Sequence, residues 1–286
     1  MKHPPAEPLG SSKHGITFFG RFGKVMPFLF LLQRNQAVEA GRSYAFCGNR
    51  EKVYRQRKKK EEMSSPMGGG AHHYQNGTMK VLELFAGTRS IGKAFEQRGH
   101  EVFSVEWSKD FENIDLYDDI NKVTAEDILK LFGKPDVIWA SPDCTTFSIA
   151  AISHHRKKNP ETGSLEPVSA YAKFCDRVDK HVLELIGQLQ PKYYFIENPR
   201  GGMRKMEWMK NLPRYTVTYC QYGDNRMKPT DIWTNHPNPK FLPMCHNGDP
   251  CHVPAPRGSK TGTQGLKGSR ERSVIPQKLC EHIVDI

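Results

Sequence analysis

No apolar run in the chain approaches the roughly 20 residues that a helix needs to cross a bilayer. That excludes a helical membrane span and leaves no membrane partner to expect. Hydrophobic residues are scarce, at 37%, so some of the chain contributes little to a core. The seven cysteines are odd in number and follow no framework spacing. That argues for free thiols in a reducing compartment rather than a disulfide scaffold. The G-x-G-x-x-G phosphate fingerprint is missing, so a dinucleotide is not favoured. The nearest approach to a leader, residues 25–32, contains Pro27 and no small-residue cleavage site, and secretion is not expected.

Positive charge is abundant, and its placement matters. The net charge is +11 over 286 residues, a balance that suggests nucleic acid. Residues 1–78 hold 13 Lys/Arg against 5 Asp/Glu, whereas residues 79–286 hold 29 against 26. Most of the basicity therefore lies ahead of residue 79. That segment is Pro-rich at its start, contains the basic run 55–60, ends in Gly68-Gly69-Gly70 and sustains no hydrophobic period. It reads as a disordered, solvated tail. A nucleic-acid tether is one alternative, and an addition upstream of a start at Met79 is another.

From Met79 the texture changes. Lys80-Val81-Leu82-Glu83-Leu84 predicts a strand, followed by a Gly-containing turn and a helix to about Arg98. Residues 101–106 predict a second strand, 124–132 a helix, 136–140 a third strand and 193–196 a fourth. The spacing of Phe174, Val178, Val182, Leu185, Ile186 and Leu189 predicts a long helix before the fourth strand. Strands alternating with helices imply an α/β fold, a mostly parallel sheet covered on both faces, with ligands bound beyond the carboxyl ends of the strands.

The chemically loaded residues fall at those ends. Phe85-Ala86-Gly87, with Ser90 and Ile91 opening the helix, offers a glycine turn and free backbone N–H groups. Glu106 ends the second strand, where a carboxylate can accept both hydroxyls of a ribose, and Trp107 can stack on an adenine. Cys144 lies in the loop Ser141-Pro142-Asp143-Cys144 after the third strand. Taken alone, a single cysteine is more often packing than a nucleophile. Glu197-Asn198 ends the fourth strand, and a carboxylate there is costly unless it binds something. Cys245, His246, Cys251 and His252 supply four zinc-type donors, though at no standard finger spacing. An irregular loop with free thiols is the plainer reading, so no metal is expected.

In this order and spacing, residues 79–286 resemble the cytosine-C5 DNA methyltransferase family of phage and bacterial type. Phe85-Ala86-Gly87 resembles its cofactor turn, Glu106-Trp107 its ribose and adenine contacts, and Asp119-Ile120 its acidic-apolar pair beside the adenine. Pro142 to Cys144, followed by Phe147-Ser148, resembles the nucleophile loop, and Glu197-Asn198 the glutamate-asparagine pair. Tyr222-Gly223 with Arg226 and Lys228 is similar to a later basic motif, and residues 272–276 with the closing helix to the last motif, beside the cofactor. Asp143 departs from the family, which usually has proline directly before the cysteine; the loop thereby approaches the tetrapeptide of amino-methyltransferases.

The resemblance implies a Rossmann-like class I methyltransferase fold, S-adenosyl-L-methionine as cofactor and double-stranded DNA with a flipped base as partner. It implies catalysis by Cys144, Glu197, Asn198 and Arg226 or Lys228, in a monomer working in the cytoplasm of a bacterium or a phage-infected cell. A positive neighbour is expected to lower the Cys144 pKa. Residues 153–160 sit where a basic lid over the base would lie, and about 236–268 leaves room only for a minimal target-recognition loop. C5 methylation of tRNA, exocyclic-amine methylation of DNA and a catalytically inactive nucleic-acid-binding relative remain the alternatives.

Overall fold

A computed structural model describes residues 48–64, 77–254, 266 and 268–286. The chain divides into two compact units, residues 1–45 and Phe46–Ile286. The first lies outside the described residues, and the second is described here. Helix α1 spans Gly48–Ser64, followed by strand β1 (Lys80–Leu84), helix α2 (Ser90–Gln97), and strands β2 (Glu101–Glu106) and β3 (Leu116–Tyr117). Helix α3 (Ala125–Leu131), strand β4 (Val137–Ala140), the short helix α4 (Ile152–His155) and the ribbon β5 (Arg156–Lys158) and β6 (Leu165–Pro167) come next. Helix α5 (Ala170–Leu189), strands β7 (Tyr193–Pro199), β8 (Arg214–Thr218) and β9 (Pro229–Thr234), and helices α6 (Ser269–Ser273) and α7 (Gln277–Asp285) complete the unit.

Seven strands form one sheet in the order β3-β2-β1-β4-β7-β9-β8. The first five are parallel, and β9 runs antiparallel between β7 and β8. The apolar runs that predicted strands are those of a sheet buried on both faces. Leu82, Leu84, Phe103, Val105, Ile138 and Ala140 face α3 and α5, while Val81, Val102, Val137, Trp139 and Phe195 face α2 and α7. The chain moves outward from β1 through β2 and β3, then returns to lay β4 on the other side of β1. The ends of β1 and β4 therefore flank the point where strand order reverses, where a doubly wound sheet opens a crevice.

The helices start where local chemistry dictates. Thr124 caps α3 with a complete capping box to Asp127, satisfying two N–H groups that the helix leaves open. Ser169 caps α5 by accepting from Ala172 N.

One expectation needs correction. The basic segment before residue 79 is not a tail throughout, because residues 48–64 form α1, packed on the domain. Arg50 pairs with Asp118 at 2.9 Å and Asp127 at 2.6 Å, and Arg57 pairs with Glu101 at 2.6 Å. The Arg57 guanidinium also stacks over Phe103 and Phe132, and Val53 is buried in the core. The helix is anchored by charge and by the adjacent side chains of Val53 and Tyr54, so no hydrophobic stripe announces it. The glycine run and residues 65–76 lie outside the described residues.

Candidate active site

At the end of β1 the backbone turns sharply through Phe85 (φ 58°), Gly87 (φ 49°) and Arg89 (φ 58°) into α2. Three left-handed residues in five aim this turn across the strand ends toward β2. There Glu106 is buried, and its carboxylate accepts from the N–H of Gly87, Trp107 and Ser108, each at 3.0 Å. A carboxylate has about four lone-pair positions, so one remains for an incoming hydroxyl. Asp119 accepts from Asn121 N at 3.0 Å, capping the turn Ile120–Lys122, and Ile120 is buried beside it. Trp107 is 75% exposed, lying open at the rim. Ile91 is wholly buried in the second core, so its side chain does not reach the crevice. Ser90 shares a hydrogen bond with Thr88 at 2.9 Å, and its Oγ lies 3.5 Å from Ile275 N, bringing the chain entering α7 beside the turn.

Two residues beneath this turn were not foreseen. Glu83 accepts from Gly92 N at 2.9 Å, and burial pushes its carboxyl up to about 7 against the pull of that hydrogen bond and of Arg89. A Cβ on Gly92 would fall inside van der Waals contact of Glu83 Oε2, so glycine is required for α2 to start this close to β1. Arg89 is buried and turned away from the crevice onto Glu96, at 2.6 Å. The polar groups facing the crevice are thus a carboxylate acceptor and backbone N–H donors. That set fits a hydroxylated, positively charged sulfonium nucleoside, whose ribose Glu106 would hold, and does not fit a pyrophosphate.

At the end of β4, Cys144 lies in a half-buried loop. Its carbonyl accepts from Phe147 N at 3.0 Å and Ser148 N at 2.9 Å. Asp143 accepts from Thr145 N at 2.5 Å and from the Tyr171 hydroxyl at 3.1 Å. The aspartate that departs from the family pattern is thus built into the loop. Strand β7 pairs with β4, Ala140 opposite Ile196, which puts Glu197 and Asn198 on the neighbouring strand end. Asn198 Nδ2 donates to Pro142 O at 3.0 Å. Glu197 is buried and accepts from the Tyr219 hydroxyl at 3.1 Å. After β7 the backbone closes on the nucleophile loop, with Gly202 N donating to Phe147 O at 2.7 Å. A Cβ on Gly201 would stand 2.5 Å from that carbonyl, so this approach requires glycine.

The cations separate. Arg226 is held by Asp224, with Nε–Oδ1 at 2.9 Å, and its Nη1 is buried without a partner. Lys228 Nζ donates to Arg272 O at 2.8 Å and lies over the Tyr219 ring at 4.4 Å. Burial lowers its pKa, while Glu197 and Cys144 oppose that fall.

Two expectations fail here. The Cys144 thiol is not lowered: burial, then Asp143 and Glu197, push it up to about 11, and Lys228 only partly offsets them. The segment 153–160 is not uniformly a basic lid. Arg156 is buried, donates to Thr146 O and Thr146 Oγ1 at 3.0 Å each, and pairs with Asp176 at 2.6 Å, with its guanidinium over Phe147. It props the nucleophile loop from beneath, leaving Lys157 and Lys158 exposed on β5.

Residues 79–213 match the family described as C-5 cytosine-specific DNA methylase. Over 233 residues, 73% of this chain and 100% of the relative, the sequence is 30% identical to "Probable DNA (cytosine-5)-methyltransferase" of Frog virus 3 (isolate Goorha). Among solved structures, the Entamoeba histolytica methyltransferase EhMeth aligns at 14% identity and TM-score 0.40, covering 55% of this chain and 52% of that one. The S. pombe Dnmt2 methyltransferase aligns at 14% and 0.35, covering 55% and 48%. The chain thus spans about half the length of these solved structures.

Proposed function

The chain belongs to the cytosine-C5 DNA methyltransferase family, which uses S-adenosylmethionine, and from that premise we propose that it methylates C5 of a flipped cytosine in duplex DNA through a covalent adduct to Cys144. The observation that carries this reading is the pairing of β4 with β7. It sets Cys144 and Glu197 on adjacent strand ends, bridged by the hydrogen bond from Asn198 to Pro142 O.

Cytosine C5 is a weak nucleophile while the ring is aromatic. Addition of the Cys144 thiolate to C6 forms a C–S bond and moves an electron pair to C5. Glu197, fixed by Tyr219, hydrogen-bonds N3 and promotes that addition. Lys228 is the proposed cation beside O2, since it interacts electrostatically with both Glu197 and Cys144, while Arg226 is paired with Asp224 through Nε. Asn198 positions the nucleophile loop. When bound, S-adenosylmethionine supplies the electrophilic methyl group that C5 receives; the turn at residues 85–87, Glu106 and Asp119 are proposed to hold it. Loss of the C5 proton then returns electrons to the ring and breaks the C–S bond, releasing Cys144. The base must leave its stack to reach this site. The segment 236–268 is proposed as a minimal recognition loop: its described residues, 236–254, 266 and 268, hold neither helix nor strand, while Arg257, Lys260 and Lys267 lie outside the described residues. Few side chains would then read base edges, and a short or relaxed target site is expected.

The deciding experiment incubates the enzyme with labelled S-adenosylmethionine and, separately, duplex DNA, tRNA and DNA containing 5-fluorocytosine. 5-Methylcytosine in DNA and a stable protein–DNA adduct on the fluorinated substrate are expected. Cys144→Ser should lose both, with turnover down roughly 10⁴-fold or more. Methylated exocyclic amine, or full turnover by the serine variant, would overturn the C5 mechanism; product in tRNA alone would overturn the substrate.

A further inference from the structure

Four soft donors converge next to the turn that carries Arg226 and Lys228. Cys220 lies on the 3-10 turn Tyr219–Tyr222, and Cys245, Cys251 and His252 lie on the loop after β9. Their ligand atoms all fall within 4.8 Å of one another. Cys220 Sγ is 3.5 Å from Cys251 Sγ, and His252 Nδ1 is 3.7 Å from the sulfurs of both Cys245 and Cys251. Zinc bonds of about 2.3 Å to sulfur and about 2.0 Å to nitrogen, set tetrahedrally, space the ligand atoms roughly 3.5–3.8 Å apart. Cys220 and Cys245 stand at 3.0 Å, closer than a zinc edge and far longer than the ~2.05 Å of a disulfide.

We propose that Cys220, Cys245, Cys251 and His252 bind one zinc ion. Three thiols give up their protons, three sulfurs and one imidazole nitrogen become ligands, and no position is left open. The site is therefore structural. His246, a ligand candidate on sequence grounds, is exposed and stands beside Asp249 instead. Cys220, which the sequence did not single out, takes its place.

The surroundings support a built centre. Cys220, Cys245 and His252 are buried. Cys245 N donates to Thr218 Oγ1 at 3.0 Å, Gln221 Nε2 stands 3.7 Å from Cys251 Sγ, and Val253 N donates to Asn225 O at 2.8 Å. Residues 235–254 contain neither helix nor strand, so no hydrogen-bond ladder holds this stretch. A metal would tie it to the turn whose Tyr219 donates to Glu197. The recognition segment and the catalytic pocket would then share one brace. The metal assignment itself does not depend on the methyl-transfer reading.

The full chain, purified without chelator, is expected to carry about one zinc per molecule. Its metal-free form, titrated with Co²⁺, should show thiolate charge-transfer and the visible bands of a tetrahedral ion. Cys220→Ser and Cys251→Ser should drop metal content to near zero, while His246→Ala should retain it. The cobalt spectrum of the unsubstituted chain keeps the test decisive if the serine variants do not fold. Absence of any cobalt spectrum, a Cys220–Cys245 disulfide in non-reducing peptide maps of freshly prepared protein, or metal lost from His246→Ala but kept by Cys220→Ser would overturn the assignment.

Discussion

The two strand ends that make the crevice are built differently. At the β1 side, Glu106 accepts three backbone N–H groups and Asp119 caps its own turn. At the β4 side, Asn198 Oδ1 and Arg226 Nη1 are buried without partners, burial raises the Cys144 thiol and burial lowers the Lys228 ammonium. The groups that face the crevice at the first end are satisfied at rest. Its unpaired atoms, Glu83 Oε2 and Arg89 Nε, lie beneath the turn, where burial also raises the Glu83 carboxyl, whereas the second end holds such groups in the site itself. Unpaired buried polar atoms and displaced pKa values cost stability, and they concentrate where a substrate completes the bonding. The cofactor side is preorganised; the base side is left for the substrate to complete.

The largest expected effect tests what supports the unsatisfied side. Arg156 is buried, and its guanidinium joins Thr146 to Asp176 beneath the nucleophile loop. Arg156→Met keeps most of the volume but leaves Asp176 buried and unpaired. Breaking one partner of such a pair costs about 3–5 kcal/mol, read as a shift in the denaturant midpoint. An unchanged midpoint would mean that the loop holds itself up.

Glu106→Ala probes the satisfied side and should be smaller. Three N–H groups lose their acceptor, so a loss of about 1–3 kcal/mol in stability is expected. Affinity for S-adenosylmethionine should fall by a comparable amount, measured by calorimetry, because the acceptor for the ribose goes with it. Lost affinity with full stability would place the carboxylate's role in the ligand alone and weaken the contrast between the two ends.

The same contrast governs what the sequence disclosed. The cofactor half was legible because strands buried on both faces must be apolar: Lys80-Val81-Leu82-Glu83-Leu84 and residues 101–106 announce themselves, as does Thr124 three residues before Asp127. The second half was legible only in part: β4, α5 and β7 are apolar enough to be read, but the strands after β7 are not. Strands β8 and β9 read Arg-Tyr-Thr-Val-Thr and Pro-Thr-Asp-Ile-Trp-Thr, polar enough to pass for loop, although their β-branched residues were a usable signal. Helix α1 was hidden because ten of its 17 residues are charged, and its anchors are ion pairs to residues 44 or more positions away. Cys220 could not be joined to Cys245 from spacing, since only the fold of β8 against β9 brings them together. Burial, which decides the direction of the Cys144 shift, is likewise invisible in a one-dimensional pattern.

The smallest effect on stability is expected at Cys144, and it separates the two ends most sharply. Its side chain is small and half-buried, so Cys144→Ala should cost no more than about 1 kcal/mol, against the larger loss at Glu106. Its reactivity, by contrast, should be strongly displaced. With the thiol pushed up to about 11, the reactive thiolate is a minor species throughout the neutral range. Each unit of pH below that value lowers the thiolate fraction about tenfold. Alkylation of Cys144 by iodoacetamide in the free enzyme, followed by mass spectrometry, should therefore keep rising with pH beyond 9 instead of levelling near the ordinary thiol value. Lys228→Met removes a nearby charge that opposes the shift, and should move the profile further to alkaline pH and slow alkylation at fixed pH. A plateau below pH 8 in the free enzyme would show a thiolate already poised at rest, and the β4 end would then be as prepared as the β1 end.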